Sequence, residues 1–134
     1  MEKKNLDWKH IGFAYHTTDY RYVADYKDGK WQEGYMSDSP NIVLNECAGI
    51  MQYCQEVFEG LKAYETADGR IVTFRSDLNA DRMYHSAERM EMPPFPKERF
   101  IEAVEKVVKA NEAWVPPYGS GATLYLRPYM YASS

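Results

Sequence analysis

The sequence has only two cysteines, and they lie outside the spacings typical of redox and metal motifs. Cys47 and Cys54 are seven positions apart, whereas a redox or zinc pair is spaced C-x-x-C. On a helix this spacing places both thiols on one face, and we expect them to be buried. His10, His16 and His85 have no Cys or His partner at a metal-binding spacing. The sequence therefore predicts two free thiols and no metal site.

Long apolar runs and clusters of basic residues are also missing. No run of about 18 apolar residues is present, and the charged start MEKKNLDWKH lacks an apolar segment, so we expect neither a membrane span nor a signal peptide. The formal net charge is −4, and no basic run exceeds the pair Lys3 and Lys4. This balance argues against nucleic acid as a partner. We therefore expect a cytoplasmic protein with no nucleic-acid or membrane partner.

Three common catalytic motifs, G-x-x-x-x-G-K-[ST], G-x-S-x-G and H-E-x-x-H, are absent as well. Tyrosine, in contrast, is abundant, with 12 copies in 134 residues. A tyrosine ring is apolar and its hydroxyl forms hydrogen bonds, so this residue suits ligand walls and interfaces. No repeat or flexible linker is evident. We assign residues 1–134 to a single domain large enough to bury a core.

Turn signals and hydrophobic spacing predict an α+β fold. Asp28-Gly29 and Ala67-Asp68-Gly69 each separate two strand-like segments and predict two β-hairpins. Apolar spacing predicts three helices, in the segment ECAGIMQYCQE, between Ser76 and Pro93, and from Pro96 to Lys109. We expect a largely antiparallel sheet with the helices packed on it.

The segment LYLRPYMY, residues 124–131, predicts a strand with two different faces. Alternation puts four polar or amphipathic side chains on one face: Tyr125, Arg127, Tyr129 and Tyr131. An arginine among phenols can hold a carboxylate through a bidentate contact with hydroxyl donors beside it. A structural salt bridge of Arg127 on an open sheet face fits the same pattern.

The segment FEGLKAYE has a glycine inside a predicted strand. Gly60 there indicates a bulge or a place where another group approaches the backbone closely. Phe58 and Tyr53 can line an apolar pocket nearby, although core packing is the alternative. Lys62 has no surroundings that promise burial, and Glu59 is close enough in sequence to pair with it, so we assign this lysine no catalytic role.

The predicted second helix carries a charged stripe separate from its apolar face. Arg82, Ser86 and Arg89 are spaced by four and then three residues, so they lie on one side of the helix. This stripe suits a phosphate group. A solvated charged face is the alternative.

Together, the segments YCQEVFEGLKAYETADGRIVTFRSDLNADRMYHSAERMEMP and LYLRP resemble the branched-chain amino acid aminotransferases. These are class IV pyridoxal-phosphate enzymes of the D-alanine aminotransferase-like fold. The resemblance covers nearly the whole chain and implies the small N-terminal domain of such an enzyme. The intact protein, a homodimer, would transfer an amino group between leucine, isoleucine or valine and 2-oxoglutarate, with pyridoxal 5'-phosphate as cofactor.

The resemblance also implies roles for individual residues. Arg82 matches the arginine that binds the cofactor phosphate. Tyr125 and Arg127 match residues that receive the second carboxylate of glutamate. Three residues match aromatic walls of the pocket for an aliphatic side chain: Phe13, Tyr53 and Phe58.

The catalytic lysine of this family lies in a second, larger domain, so we expect it downstream of Ser134. None of the nine lysines in the chain has the matching context. We therefore expect these 134 residues to be inactive alone and to self-associate through uncovered aromatic surface. The alternatives are a D-amino acid aminotransferase or aminodeoxychorismate lyase of the same fold, and a free-standing binding module without catalysis.

Overall fold

Short antiparallel strands and three α-helices build residues 2–134, the part of the chain that the computed structural model describes. The strands are β1 (Arg21–Val23), β2 (Tyr26–Lys27), β3 (Lys30–Trp31), β4 (Tyr35–Ser37), β5 (Glu56–Phe58), β6 (Leu61–Glu65), β7 (Ile71–Thr73), β8 (Leu124–Leu126) and β9 (Tyr129–Tyr131). The helices are α1 (Gly49–Tyr53), α2 (Ser76–Arg89) and α3 (Lys97–Ala110), with 3-10 turns at Trp8–His10 and Glu112–Trp114. The predicted α+β class is confirmed.

The first predicted hairpin is confirmed. Strands β2 and β3 pair directly on either side of Asp28 and Gly29. These two residues have φ values of 54° and 78°, and the favoured two-residue hairpin turn requires positive φ at both of its central positions. Further out, β1 pairs with β4, with Val23 opposite Tyr35. The local turn chemistry therefore sets the register of this hairpin.

The second predicted hairpin is also confirmed, and its first strand belongs to a larger antiparallel arrangement. Strand β6 pairs with β7 on one side and with β8 on the other, where Leu61 lies opposite Leu126. Strand β5 pairs with β9, where Phe58 lies opposite Tyr129. The chain thus brings the segment around Gly60 next to the last strands.

The segments 56–65 and 124–131 were predicted as continuous strands, but each is interrupted, and the two breaks lie opposite each other. The breaks fall at Glu59-Gly60 and at Arg127-Pro128. Proline has no N–H group and cannot continue a ladder of backbone hydrogen bonds. The predicted alternation of faces still holds, because Leu126 is buried and Arg127 is exposed.

The core lies between the strands and the helices α2 and α3. Buried residues of both helices and of the inner face of the strands form this core: Ala80, Met83, Ala87, Phe100, Val104, Val108, Val57, Leu61, Ala63, Leu126 and Met130. Helix α3 starts just after Pro96, as predicted, and buries Phe100, Val104 and Val108. In α2, Met83 and Ala87 are buried, whereas Tyr84 is exposed. No helix within residues 2–134 has the length and apolar character needed to cross a membrane.

The first predicted helix is much shorter than its apolar pattern indicates. Helix α1 ends at Tyr53 because Cys54 has a positive φ of 52°, and the next residues form β5 instead. Pairing with the end of the chain replaces a further helical turn here, since the carbonyl of Gln55 accepts a hydrogen bond from the backbone N–H of Ala132. Cys47 and Cys54 are both exposed, so the prediction of buried thiols is wrong.

Candidate functional site

Arg127 lies at the break between β8 and β9 with an aromatic ring on two sides. Its guanidinium carbon is 4.3 Å from the ring centre of Phe58 and 5.3 Å from that of Tyr125. The Nη2 group donates a hydrogen bond to the Tyr125 hydroxyl at 2.9 Å. Cation–π contacts of this kind orient a guanidinium without neutralising its charge. Together these groups can receive an anion.

The alternative reading of Arg127 as one half of a salt bridge is wrong for the part of the chain that the structure describes. Within residues 2–134, no carboxylate lies within salt-bridge distance of this side chain. The positive charge of Arg127 is therefore available to a ligand.

Tyr125 is held in place by its neighbours. Its ring packs edge-to-face against Phe13, with 5.2 Å between the ring centres. Its hydroxyl lies against Gly60, where an added Cβ would overlap with the oxygen and lie 3.0 Å from the ring carbon Cζ. The prediction that Gly60 marks a close approach is confirmed, and the approaching group is the Tyr125 hydroxyl.

Four of the predicted site residues thus form one set of contacts, which we call the Arg127 cluster: Phe13, Phe58, Tyr125 and Arg127. The two phenylalanines are largely uncovered, with 81% of Phe13 and 57% of Phe58 exposed. Tyr53 ends α1, is 81% exposed and makes no ring contact with the cluster in the described part of the chain.

A shallow, open depression of about 430 Å³ adjoins the Arg127 cluster and has a mainly apolar surface. Its lining comes from β6, β8 and residues near them: Gly60, Lys62, Tyr64, Phe74, Asn79 and Tyr125. Neither Arg82 nor Arg127 lines this depression. The two arginines therefore do not share this depression.

Arg82 lies on α2 and forms an ion pair with Glu59. Its Nε and Nη2 groups each donate a hydrogen bond to a separate carboxylate oxygen, both at 2.6 Å. Asn79 donates a third hydrogen bond to the same carboxylate at 3.0 Å. The pair is asymmetric, because the Glu59 side chain is 1% exposed and that of Arg82 is 70% exposed.

These contacts determine the charge of Glu59. Burial alone would raise the pKa of its carboxyl, but the hydrogen bonds from Arg82 and Asn79 and the positive charge of Arg82 lower it below the ordinary value of 4.5. Glu59 is therefore ionised at neutral pH. The Arg82 guanidinium is both solvent-exposed, as the alternative of a solvated charged face predicts, and bound to a buried carboxylate.

Glu59 was not predicted as a site residue, because its closeness in sequence to Lys62 suggested a pair with that lysine instead. Glu59 lies two residues from Val57 and two from Leu61, both of which face the core. A carboxylate in this register predicts a buried ion pair, because an unpaired buried charge is strongly unfavourable. That signal was available, but the partner, Arg82, is 23 positions further along the chain.

Comparisons with known proteins give a consistent result, although no family model matches the chain. A branched-chain-amino-acid aminotransferase of Haemophilus influenzae is 50% identical over 127 residues, which cover 95% of this chain and 37% of that protein. The enzyme of the same name from Helicobacter pylori is 45% identical with the same coverage. A methionine aminotransferase of Arabidopsis thaliana is 43% identical over 130 residues, 96% of this chain and 36% of its own.

A solved structure also matches. The branched-chain aminotransferase from the archaeon Thermoproteus uzoniensis, solved with norvaline, superposes with a TM-score of 0.62 at 25% sequence identity. The match covers 86% of this chain and 34% of that structure. The chain thus spans about a third of the length of the relatives that it matches.

Proposed function

Because this chain belongs to the branched-chain aminotransferase family and spans about a third of its relatives' length, we propose that it is the small N-terminal domain of such an enzyme. The intact protein would transfer an amino group between leucine, isoleucine or valine and 2-oxoglutarate, act in the cytoplasm and form a homodimer. The 50% sequence identity to the Haemophilus influenzae enzyme, over 95% of this chain, supports this assignment.

The observation that carries the proposal is the setting of Arg127. Its guanidinium, which forms no ion pair within residues 2–134, lies between two aromatic rings and contacts a phenol hydroxyl. In our proposal, Arg127 and Tyr125 bind the second carboxylate of glutamate, while Phe13 and Phe58 contact an aliphatic side chain and exclude water. One site can then accept both an acidic and a branched apolar substrate.

Tyr53 is proposed as a further aromatic wall of this pocket. It is highly exposed and forms no ring pair with the Arg127 cluster within residues 2–134, so in our proposal its role depends on the rest of the enzyme covering this surface. The exposure of Phe13 and Phe58 fits the same picture. The cluster would be one side of a cleft whose opposite side belongs to the rest of the enzyme.

Pyridoxal 5'-phosphate is the proposed cofactor, and Arg82 is its proposed phosphate-binding residue in this chain. The donor set fits a phosphate in part, because Arg82 is 70% exposed and its Nη1 group makes no hydrogen bond within residues 2–134. When bound, the cofactor supplies the electron sink that amino-group transfer requires. We propose that the catalytic lysine lies outside this domain, so the chain alone would be inactive.

The test is an assay of two proteins in parallel. The product of the whole reading frame that contains these residues, supplied with pyridoxal phosphate, should form glutamate from 2-oxoglutarate and leucine, isoleucine or valine. The 134-residue chain should form none, and turnover by it would contradict the proposal that the catalytic lysine lies outside this domain. Preference for D-alanine, or pyruvate release from aminodeoxychorismate, would favour the alternative enzymes of this fold.

A further inference from the structure

Glu59 occupies a position where an apolar residue would be expected. It lies in the register of the buried Val57 and Leu61, and its own side chain is almost completely buried. Burial of a charge is unfavourable, and an apolar side chain of similar volume often stabilises a fold as well as or better than a buried ion pair. Stability alone therefore does not account for a carboxylate at this place.

The ion pair has a consequence for the shape of Arg82. An exposed arginine normally samples many rotamers. Here Nε and Nη2 are both bound to Glu59, which fixes the plane of the guanidinium and uses two of its N–H groups. Within residues 2–134, the Nη1 group and the outer N–H of Nη2 make no hydrogen bond. By binding one edge of the guanidinium, Glu59 fixes the orientation of the remaining N–H donors of Arg82, a side chain that would otherwise be flexible.

The carboxylate is itself held from a second direction. Asn79 donates hydrogen bonds to Glu59 Oε2 at 3.0 Å and to the Gly60 carbonyl at 3.3 Å. The position of the carboxylate is therefore set by α2 and by the strand segment together. This support is what a positioning role for Glu59 requires.

We infer that Glu59 is a positioning residue that orients Arg82 for a phosphate group. The inference rests on the proposed function, which assigns the cofactor phosphate to Arg82. Glu59 partly neutralises Arg82, so on electrostatic grounds alone its removal should strengthen anion binding. If Glu59 positions the guanidinium, its removal weakens binding instead.

The chain contains a matched control. Arg75 binds Asp77 through the same two groups, Nε to Oδ1 at 3.0 Å and Nη2 to Oδ2 at 2.9 Å. Both partners of this pair are exposed, and within residues 2–134 no side chain other than Arg75 donates to the carboxylate. Asp77→Asn removes the same charge from the same type of pair without removing a buried anchor.

The experiment follows the Nε–H resonances of the arginines by NMR in the 134-residue chain. Inorganic phosphate is titrated at constant ionic strength, with chloride as the balancing ion. Arg82→Lys assigns the Arg82 resonance. We expect phosphate to shift this resonance, and Glu59→Gln to weaken the apparent affinity about fivefold, the effect of one lost hydrogen bond. Asp77→Asn should leave the affinity at Arg82 unchanged or increase it.

Asn79→Ala provides a second variant should Glu59→Gln fail to fold, because it keeps the carboxylate and removes only its support. It should weaken phosphate binding at Arg82 by a smaller factor. Equal or tighter binding in the Glu59 and Asn79 variants would overturn the inference and leave the role of Arg82 intact. If phosphate does not shift Arg82 in the unmodified chain, or shifts Arg75 equally, the proposed phosphate role fails and the inference fails with it.

Discussion

Glu59 donates its backbone N–H to the carbonyl of Pro128 at 2.8 Å, and this bond joins two strand pairs that are otherwise separate. On one side of it β5 pairs with β9, and on the other β6 pairs with β8. Arg127, next to Pro128, is thereby held beside Phe58. The pairings on either side of the break are in the same register, and the Glu59–Pro128 bond lies between them.

We expect Gly60→Ala to disturb Tyr125 more than the fold. The new methyl group would overlap with the hydroxyl, which is at the end of a side chain and can move, so the loss of stability should be about 1–3 kcal/mol. The Arg127–Tyr125 hydrogen bond should be lost. Urea unfolding measures the first effect, and KM for 2-oxoglutarate in the intact enzyme measures the second.

Tyr125→Phe in combination with Gly60→Ala supplies the control. Removal of the hydroxyl should relieve part of the overlap, so the two substitutions should cost less stability together than the sum of their separate effects. Strict additivity would show that Gly60 and Tyr125 do not interact as the structure indicates.

Arg127→Gln should separate the two substrate classes of the intact enzyme. A hydrogen bond to a charged group contributes about 1.5–3 kcal/mol, so kcat/KM for 2-oxoglutarate should fall about 10- to 100-fold. Reaction with leucine should change much less, since Phe13 and Phe58 remain. Arg70→Gln, which alters an exposed pair with Asp68, is the matched control. Equal losses for both substrates would contradict the proposed carboxylate role.

Glu59 should contribute to stability only above the acidic range. Its pKa in the folded chain is lower than its ordinary value of 4.5, so the contribution is present above about pH 4.5 and is lost as the pH falls through the folded pKa. Glu59→Gln should therefore destabilise the chain by about 1–3 kcal/mol at pH 7. The difference should narrow below pH 4.5 in urea titrations, and a constant difference from pH 7 to pH 3 would argue against an ionised, stabilising Glu59.

The uncovered aromatic residues should cause the 134-residue chain to self-associate. Phe13 and Phe58 expose large apolar rings that a further part of the enzyme would cover in our proposal. Light scattering at increasing concentration should report dimers or larger species. Phe13→Ser together with Phe58→Ser should reduce them, whereas Phe74→Ser, at a ring that is 76% exposed and lies outside the Arg127 cluster, should have a smaller effect. A monomer at high concentration would contradict this prediction.

Local signals predicted much of the fold. Asp28-Gly29 set one hairpin and Ala67-Asp68-Gly69 the other, because turns of this kind depend on a few adjacent residues. Helix α3 was equally predictable, since its apolar stripe and Pro96 agree with each other. The Arg127 cluster was indicated by alternation in the last strands together with the family resemblance.

Features that depend on distant partners were not predictable in the same way. Helix α1 is short because Gln55 pairs with Ala132 near the other end of the described chain, which no local pattern around Cys54 records. The Glu59–Arg82 pair likewise joins a strand to a helix. Apolar periodicity describes which face is buried, but it does not identify which charged side chains meet there.

The adjacent residues Glu59 and Gly60 contact the surroundings of both arginines. The Glu59 carboxylate binds Arg82, and the Cα of Gly60 lies against the hydroxyl of Tyr125, which is beside Arg127. Any shift of this peptide would change the surroundings of Arg82 and Arg127 together. If Arg127 and Arg82 have the roles proposed above, engineering Arg127 for a new acidic substrate should also change phosphate binding at Arg82. Selection experiments on the two properties should yield linked rather than independent substitutions.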